Sequence, residues 1–243
     1  MTFSNPQNPT GAIIPRGTLK SIVEIAERQS ILVFEDEVYR PLFHSTSPAD
    51  EDFPPSLLSL GYENTVVSCS MSKAYSLAGI RVGWIASRNR NVIEACANTR
   101  HYTTISVSQV DDAIAEYTLA PACIHSLLKR NIELAKTNLG HVEKFVESHR
   151  WACDWARPRA GTTAFIRFNK MGKRVDDVAF CQMLLERTGV MFVPGSACFG
   201  EGQEFRGYVR MGFVCETEVL VKGLGALRSF MENGYEDVPV IKK

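Results

Sequence analysis

Three short apolar runs, Ile31–Phe34, Thr65–Cys69 and Arg81–Ser87, lack the in-out alternation of a strand with one wet face. Segments of helical spacing lie between such runs, as at Leu19, Ile22, Val23 and Ala26. Continuous apolar strands alternating with helices are the pattern of a mostly parallel sheet covered on both faces. An α/β domain is therefore expected in the first half. Its first strand is read at Met1–Ser4, ending in the turn Asn5-Pro-Gln-Asn-Pro-Thr-Gly11. A helix follows over Thr18–Gln29, and a loop rich in Pro, Ser and acids spans Pro41–Pro55.

The stretch Ala122–His149 keeps apolar residues at helical periods and contains no proline, which reads as one long helix. After Trp151 the pattern becomes strand (Thr163–Phe168), helix (Asp176–Arg187), short strand (Val190–Val193), strand (Tyr208–Phe213) and terminal helix (Thr217–Asn233). This gives an expected division into an α/β domain (1–121), an interdomain helix (122–149) and a small C-terminal α+β domain (150–243). The segment Phe199–Gly207 lacks the G-x-G-x-x-G spacing of a phosphate loop and reads as a surface loop between two strands.

Lys+Arg and Asp+Glu are equal at 27 each, so no overall field draws nucleic acid to the chain. No apolar stretch approaches the roughly 20 residues of a membrane span, and the N-terminus has no basic region followed by an apolar one. A cytoplasmic protein is expected, with no membrane and no nucleic-acid partner. The seven cysteines are scattered without a CxxC, and the five histidines without HxxxH or HExxH spacing, so no metal is expected.

Chemistry concentrates where strands end. The first ends at Asn5 and Asn8, the second at Asp36 with Tyr39 three residues on, the third at Ser70, Ser72 and Lys73. Ligands of open parallel sheets bind at the carboxyl ends of the strands. An amide, a carboxylate, a phenol, hydroxyls and an amine brought to one crevice suit a polar, aromatic ligand.

The segments Asn5-Pro-Gln-Asn8-Pro-Thr-Gly11, Asp36-Glu-Val-Tyr39, Ser70-Met-Ser72-Lys73 and Arg81-Val-Gly83 follow one another in that order, with Tyr208-Val-Arg210 near the end. The chain resembles the class I/II pyridoxal-phosphate-dependent aminotransferases of the aspartate aminotransferase fold, fold type I, from residue 1 to about 233. The resemblance covers the C-terminal part of that pattern only, so it implies an incomplete large domain followed by the small domain. It further implies a homodimer that moves an amino group between an amino acid and a 2-oxo acid, with pyridoxal 5'-phosphate as cofactor.

Carried over residue by residue, Lys73 forms the Schiff base and then moves a proton as base and acid. Asp36 faces the pyridine nitrogen, and Tyr39 and Asn8 bond the ring oxygen. Ser70 and Arg81 hold the phosphate with help from Ser72, and Arg210 grips the substrate α-carboxylate through a bidentate fork.

Other readings stay open. The same residues serve relatives that eliminate, cyclise or cleave C–S bonds, and a non-catalytic remnant needing a partner would keep the same fold. Ser70-Met-Ser-Lys73 is also a literal S-x-x-K, the acylating motif of penicillin-recognising hydrolases, but the S-D-N and K-T-G it requires are absent.

Overall fold

The computed structural model describes residues 1–202 and 204–241, so Gln203 of the expected surface loop lies outside the described residues. The chain divides into two compact units. One comprises Met1–Asn8, Ala12–Glu133 and Arg159–Gly161, the other Pro9–Gly11, Leu134–Pro158 and Thr162–Lys243.

The first unit is built on a four-stranded sheet in the order β1 (Thr2–Ser4), β2 (Val33–Asp36), β3 (Thr65–Ser70), β4 (Gly83–Ser87). β1, β2 and β3 are parallel, and β4 runs antiparallel to β3. Helix α1 (Arg16–Arg28) starts after Pro15, whose fixed φ suits a helix entry. It lays Leu19, Val23 and Ala26 against Val33, Leu57, Tyr62 and Val67, and this cluster is the core of the sheet's covered face.

Two strands start later than their apolar runs imply. Ile31 closes the end of α1, its N–H bonding the Ala26 carbonyl at 2.8 Å, so Ile31 and Leu32 stay exposed and β2 begins at Val33. β4 begins at Gly83 because Arg81 ends the 3-10 turn Ala78–Ile80 in the left-handed region, at φ 55°. Two helices went unread in the sequence, α2 (Arg90–Arg100) and α3 (Gln109–Leu119). α2 buries no residue and so shows no apolar stripe, while Val110, Ile114 and Tyr117 of α3 stand exposed at helical spacing. Their signals were the caps. Asn89 accepts from the N–H of Asn91 at 3.0 Å, and Ser108 from that of Asp111 at 3.4 Å.

Helix α4 (Pro121–Ser148) is continuous, and the division between the units falls within it, between Glu133 and Leu134. Among the described residues no helix is long and apolar enough to cross a membrane.

The second unit carries the sheet order β5 (Cys153–Trp155), β6 (Thr163–Lys170), β9 (Tyr208–Gly212), β8 (Val193–Pro194), with β7 (Lys173–Arg174) folded back on β6. Helices α5 (Asp177–Thr188) and α7 (Thr217–Asn233) cover one face, and α6 (Gly195–Cys198) is a single turn. Phe168, Phe180, Phe230 and Tyr235 form the aromatic core, with Phe180 edge-on to Phe230 at 5.7 Å. The short strand read at Val190–Val193 shrinks to Val193–Pro194. Gly189 ends α5 in the left-handed region, and the Val190 N–H bonds Thr188 Oγ at 3.2 Å, which delays entry into the ladder.

Polar groups fix the frame around β9. The buried Asp177 carboxylate accepts from Ser196 N (2.8 Å), Ser196 Oγ (2.7 Å) and Gly207 N (2.9 Å). The buried Asn138 donates to the carbonyls of Phe213 (2.8 Å) and Cys215 (2.7 Å) and accepts from Thr217 Oγ (2.8 Å). Asn138→Ala removes three hydrogen bonds made by a buried amide and is expected to cost on the order of 3 kcal/mol, read as a lowered midpoint of urea unfolding.

Candidate active site

The carboxyl edge of the first sheet gathers most of the candidates. Asp36 is the last residue of β2, and its Oδ1 accepts from the Val38 N–H at 3.0 Å and from Ser68 Oγ of β3 at 3.2 Å. Ser70 is the last residue of β3. Its Oγ accepts from the Ser72 N–H at 3.0 Å and lies 2.8 Å from Ser72 Oγ. Because β4 is antiparallel, its amino end adjoins this edge, with Gly83 opposite Ser70. That direction, which the apolar pattern could not reveal, brings the Arg81 segment beside Ser70 and Ser72.

Lys73 lies in the turn between β3 and β4. Its neighbours Met71 and Ala74 are completely buried, while Lys73 itself is exposed. Four bonds close the turn: Met71 N to Val82 O (3.0 Å), Leu77 N to Met71 O (3.0 Å), Ser76 N to Lys73 O (3.0 Å), and Asn131 Nδ2 to Ala74 O (2.8 Å). The backbone of Lys73 is therefore anchored from both sides while its amine faces outward. Asn131 comes from α4, a supporting residue that sequence reading missed.

Arg81 is exposed and its Nη1 donates to the Ala78 carbonyl at 2.7 Å. The left-handed conformation costs a residue with a side chain about 1 kcal/mol, yet arginine is kept where glycine would be free of strain. Gly83 has the opposite requirement. A Cβ there would stand 2.7 Å from the Cys69 carbonyl and 3.5 Å from Ser70, so β3 and β4 meet only without one.

Tyr39 follows β2 and is 6% exposed, and Gly161 packs against its ring with φ +78°. Asn8 is exposed in the turn after β1. The buried amide of that turn is Asn5, whose N–H bonds the Asp36 carbonyl at 3.0 Å and whose Oδ1 accepts from Ile14 N at 2.9 Å. Asn5 thus ties the Asn8 turn to the end of β2.

Arg210 belongs to the second unit. It sits on β9, opposite Phe165 of β6 and Val193 of β8, with its guanidinium 5.5 Å from the Phe199 ring centre. A cavity of about 590 Å³ in that unit is lined by Arg150, Trp151, Arg167 and Arg174 among others, and by none of the candidates.

One group escaped sequence reading altogether. Glu35 of β2 and Glu37, just past the strand's end, are 0% and 3% exposed, and both accept from the Leu57 N–H at 3.1 Å. Burial, together with the neighbouring Glu37, pushes the Glu35 carboxyl up to about 8.

The chemistry of this donor set fits a phosphorylated cofactor with an aldehyde-bearing ring. The Ser70 and Ser72 hydroxyls, the Ser72 N–H and the exposed Arg81 guanidinium suit a phosphate, the outward amine of Lys73 suits an aldehyde carbon, and Asp36 supplies a carboxylate.

Comparison with known proteins agrees with that chemistry. The family model described as aminotransferase class I and II matches residues 1–227. Capreomycidine synthase of Streptomyces vinaceus is 30% identical over 91% of this chain and 53% of its own length. Aspartate aminotransferase of Thermotoga maritima is 29% identical over 95% of this chain and 55% of its own length. Among solved structures, a PLP-dependent aminotransferase from Streptococcus suis 89-1591 superposes with a TM-score of 0.82 at 35% identity, covering 95% of this chain and 56% of that one. The chain spans about half the length of the curated relatives it matches.

Gly83→Ala tests the close approach that aligns Ser70. The added methyl meets backbone, so the strands must part at a cost of about 1–3 kcal/mol, measured by urea unfolding against the parent chain.

Proposed function

Because the chain belongs to the aminotransferase class I and II family, we propose that it carries the lysine half of a pyridoxal-phosphate site for moving an amino group between an amino acid and a 2-oxo acid. The observation that carries this reading is the Lys73 turn, anchored by buried Met71 and Ala74 beside the Ser70–Ser72 pair. The whole reaction belongs to the longer pattern of which this chain spans about half. Residues 1–121 are proposed as the incomplete large domain, 122–149 as the interdomain helix and 150–243 as the small domain. A homodimer is supported by the exposed apolar stripe of Val110, Ile114 and Tyr117.

When bound, pyridoxal phosphate supplies a covalent hold on the substrate nitrogen and a ring that takes up the electron pair left on Cα. Lys73 Nζ binds the cofactor and, when free, takes a proton at the substrate Cα and returns one. The Asp36 carboxylate pairs with the ring nitrogen, its direction set by Val38 and Ser68. Ser70, Ser72 and Arg81 hold the phosphate, and Tyr39 and Asn8 donate to the ring oxygen. Arg210 orients the substrate by forking onto its α-carboxylate, a geometry lysine cannot reproduce.

Cyclisation is the second reading, favoured by the 30% identity to capreomycidine synthase. Product analysis separates the two. A free 2-oxo acid supports transfer, and a ring-closed amino acid supports cyclisation.

Lys73→Ala is expected to lower the rate by about 100- to 10,000-fold in single-turnover assays, because the proton at Cα loses its carrier. Arg210→Lys is expected to raise KM by about 30- to 150-fold, equivalent to about 2–3 kcal/mol for a lost charge-assisted fork. Unchanged KM in that variant removes Arg210 from the substrate site.

A further inference from the structure

Strand β2 ends in two acids, Glu35 and Asp36, and the residue that follows it is a third, Glu37. Alternation continued past the strand end sends Asp36 to one face and both glutamates, which share the Leu57 N–H, to the other, where they are buried. Two ionised carboxylates sharing one N–H donor in a dry interior would repel strongly.

The groups around the pair supply too little positive charge for two negative ones. Glu37 faces Arg40, whose Nε lies 3.9 Å from its Oε2, while both Nη atoms of Arg40 donate to the Pro54 carbonyl at 3.0 Å. From β3, the Cys69 thiol points at the Glu37 carbonyl at 3.7 Å, and burial first, then Glu37, pushes that thiol up to about 12. From the first turn, Asn5 pulls Glu35 toward the ionised form, as does the Leu57 N–H, but each pull is smaller than the opposing push from burial or from Glu37. Helix α1 offers this core only Leu19, Val23 and Ala26. Glu35 Oε1 is buried without a hydrogen-bond partner, far costlier on a carboxylate than on a neutral acid.

We propose that Glu35 is held protonated as the neutral member of a carboxyl–carboxylate pair with Glu37, and that this pair is a positioning device for Asp36. The Glu35 proton bonds Glu37, and both side chains bond the Leu57 N–H, which clamps the end of β2 to the 57–60 turn. The clamp fixes the strand on one face while Asp36 projects from the other. Two charges then remain at the strand end, one on Asp36 and one on Glu37 facing Arg40. Only the role of Asp36 rests on the proposed function; the proton on Glu35 is read out without cofactor.

A buried acid that keeps its proton in the fold and loses it in the unfolded chain makes folding proton-linked. Below the ordinary value of 4.5 both states are protonated and there is no effect. Between 4.5 and about 8 the folded chain holds one proton more, so stability falls as pH rises, and above about 8 the dependence ends.

The test is urea unfolding of the 243-residue chain from about pH 5 to 9, comparing the parent with Glu35→Gln, which mimics the neutral acid. The parent unfolding constant should rise about tenfold per pH unit more steeply than that of Glu35→Gln up to about pH 8, and in parallel with it beyond. In Glu37→Gln the steeper region should end at lower pH. Parallel curves for parent and Glu35→Gln overturn the proposal. Infrared difference spectra of the parent between about pH 6 and 10 give a check that needs no variant. A buried carboxylic-acid stretch that disappears at the higher pH supports the protonated Glu35, and its absence at the lower pH overturns it.

Discussion

The pairing of Ser70 with Gly83 is the constraint on which the site depends. It joins the carboxyl end of a parallel strand to the amino end of an antiparallel one, and it works because no side chain stands between Gly83 and the Cys69 carbonyl. From that junction the chain has only a short excursion, residues 71–82, in which to present Lys73 and Arg81. Burial of Met71 and Ala74 turns that excursion into a rigid platform, because neither residue can leave the interior without exposing apolar surface.

The other side of the edge is built by opposing needs on one strand. β2 must deliver a carboxylate to the site through Asp36, yet the residues on either side of Asp36, Glu35 and Glu37, are buried acids. Clamping both glutamates to the Leu57 N–H, with Arg40 beside Glu37, makes that burial tolerable. Asn5 extends the arrangement to the neighbouring turn by bonding the Asp36 carbonyl. The second unit applies the same logic at β9. Buried Asp177 and Asn138 satisfy backbone groups on either side of the strand that carries Arg210.

What could be read from the sequence followed physical strength. Thr217–Asn233 was read to the residue because Leu220, Leu224, Leu227 and Phe230 form an unbroken buried stripe. The motif residues were legible as polar groups at strand ends, where packing has no use for them. α2 was not legible, because a helix without a buried face leaves only its Asn89 cap as a signal. The start of β2 was misjudged because apolar Ile31 and Leu32 are exposed while acidic Glu35 is buried, the reverse of what hydropathy implies. Burial of an acid depends on partners distant in sequence, here Leu57 from a loop twenty residues on, and no local pattern encodes that.

The account turns on Lys73 as the group that takes the cofactor. Its most direct test is to mix the 243-residue chain with pyridoxal phosphate, reduce with borohydride, and map the labelled peptides by mass spectrometry. The account predicts a visible absorption band before reduction and label concentrated on Lys73. Label spread evenly over the surface lysines, with no band, would contradict it.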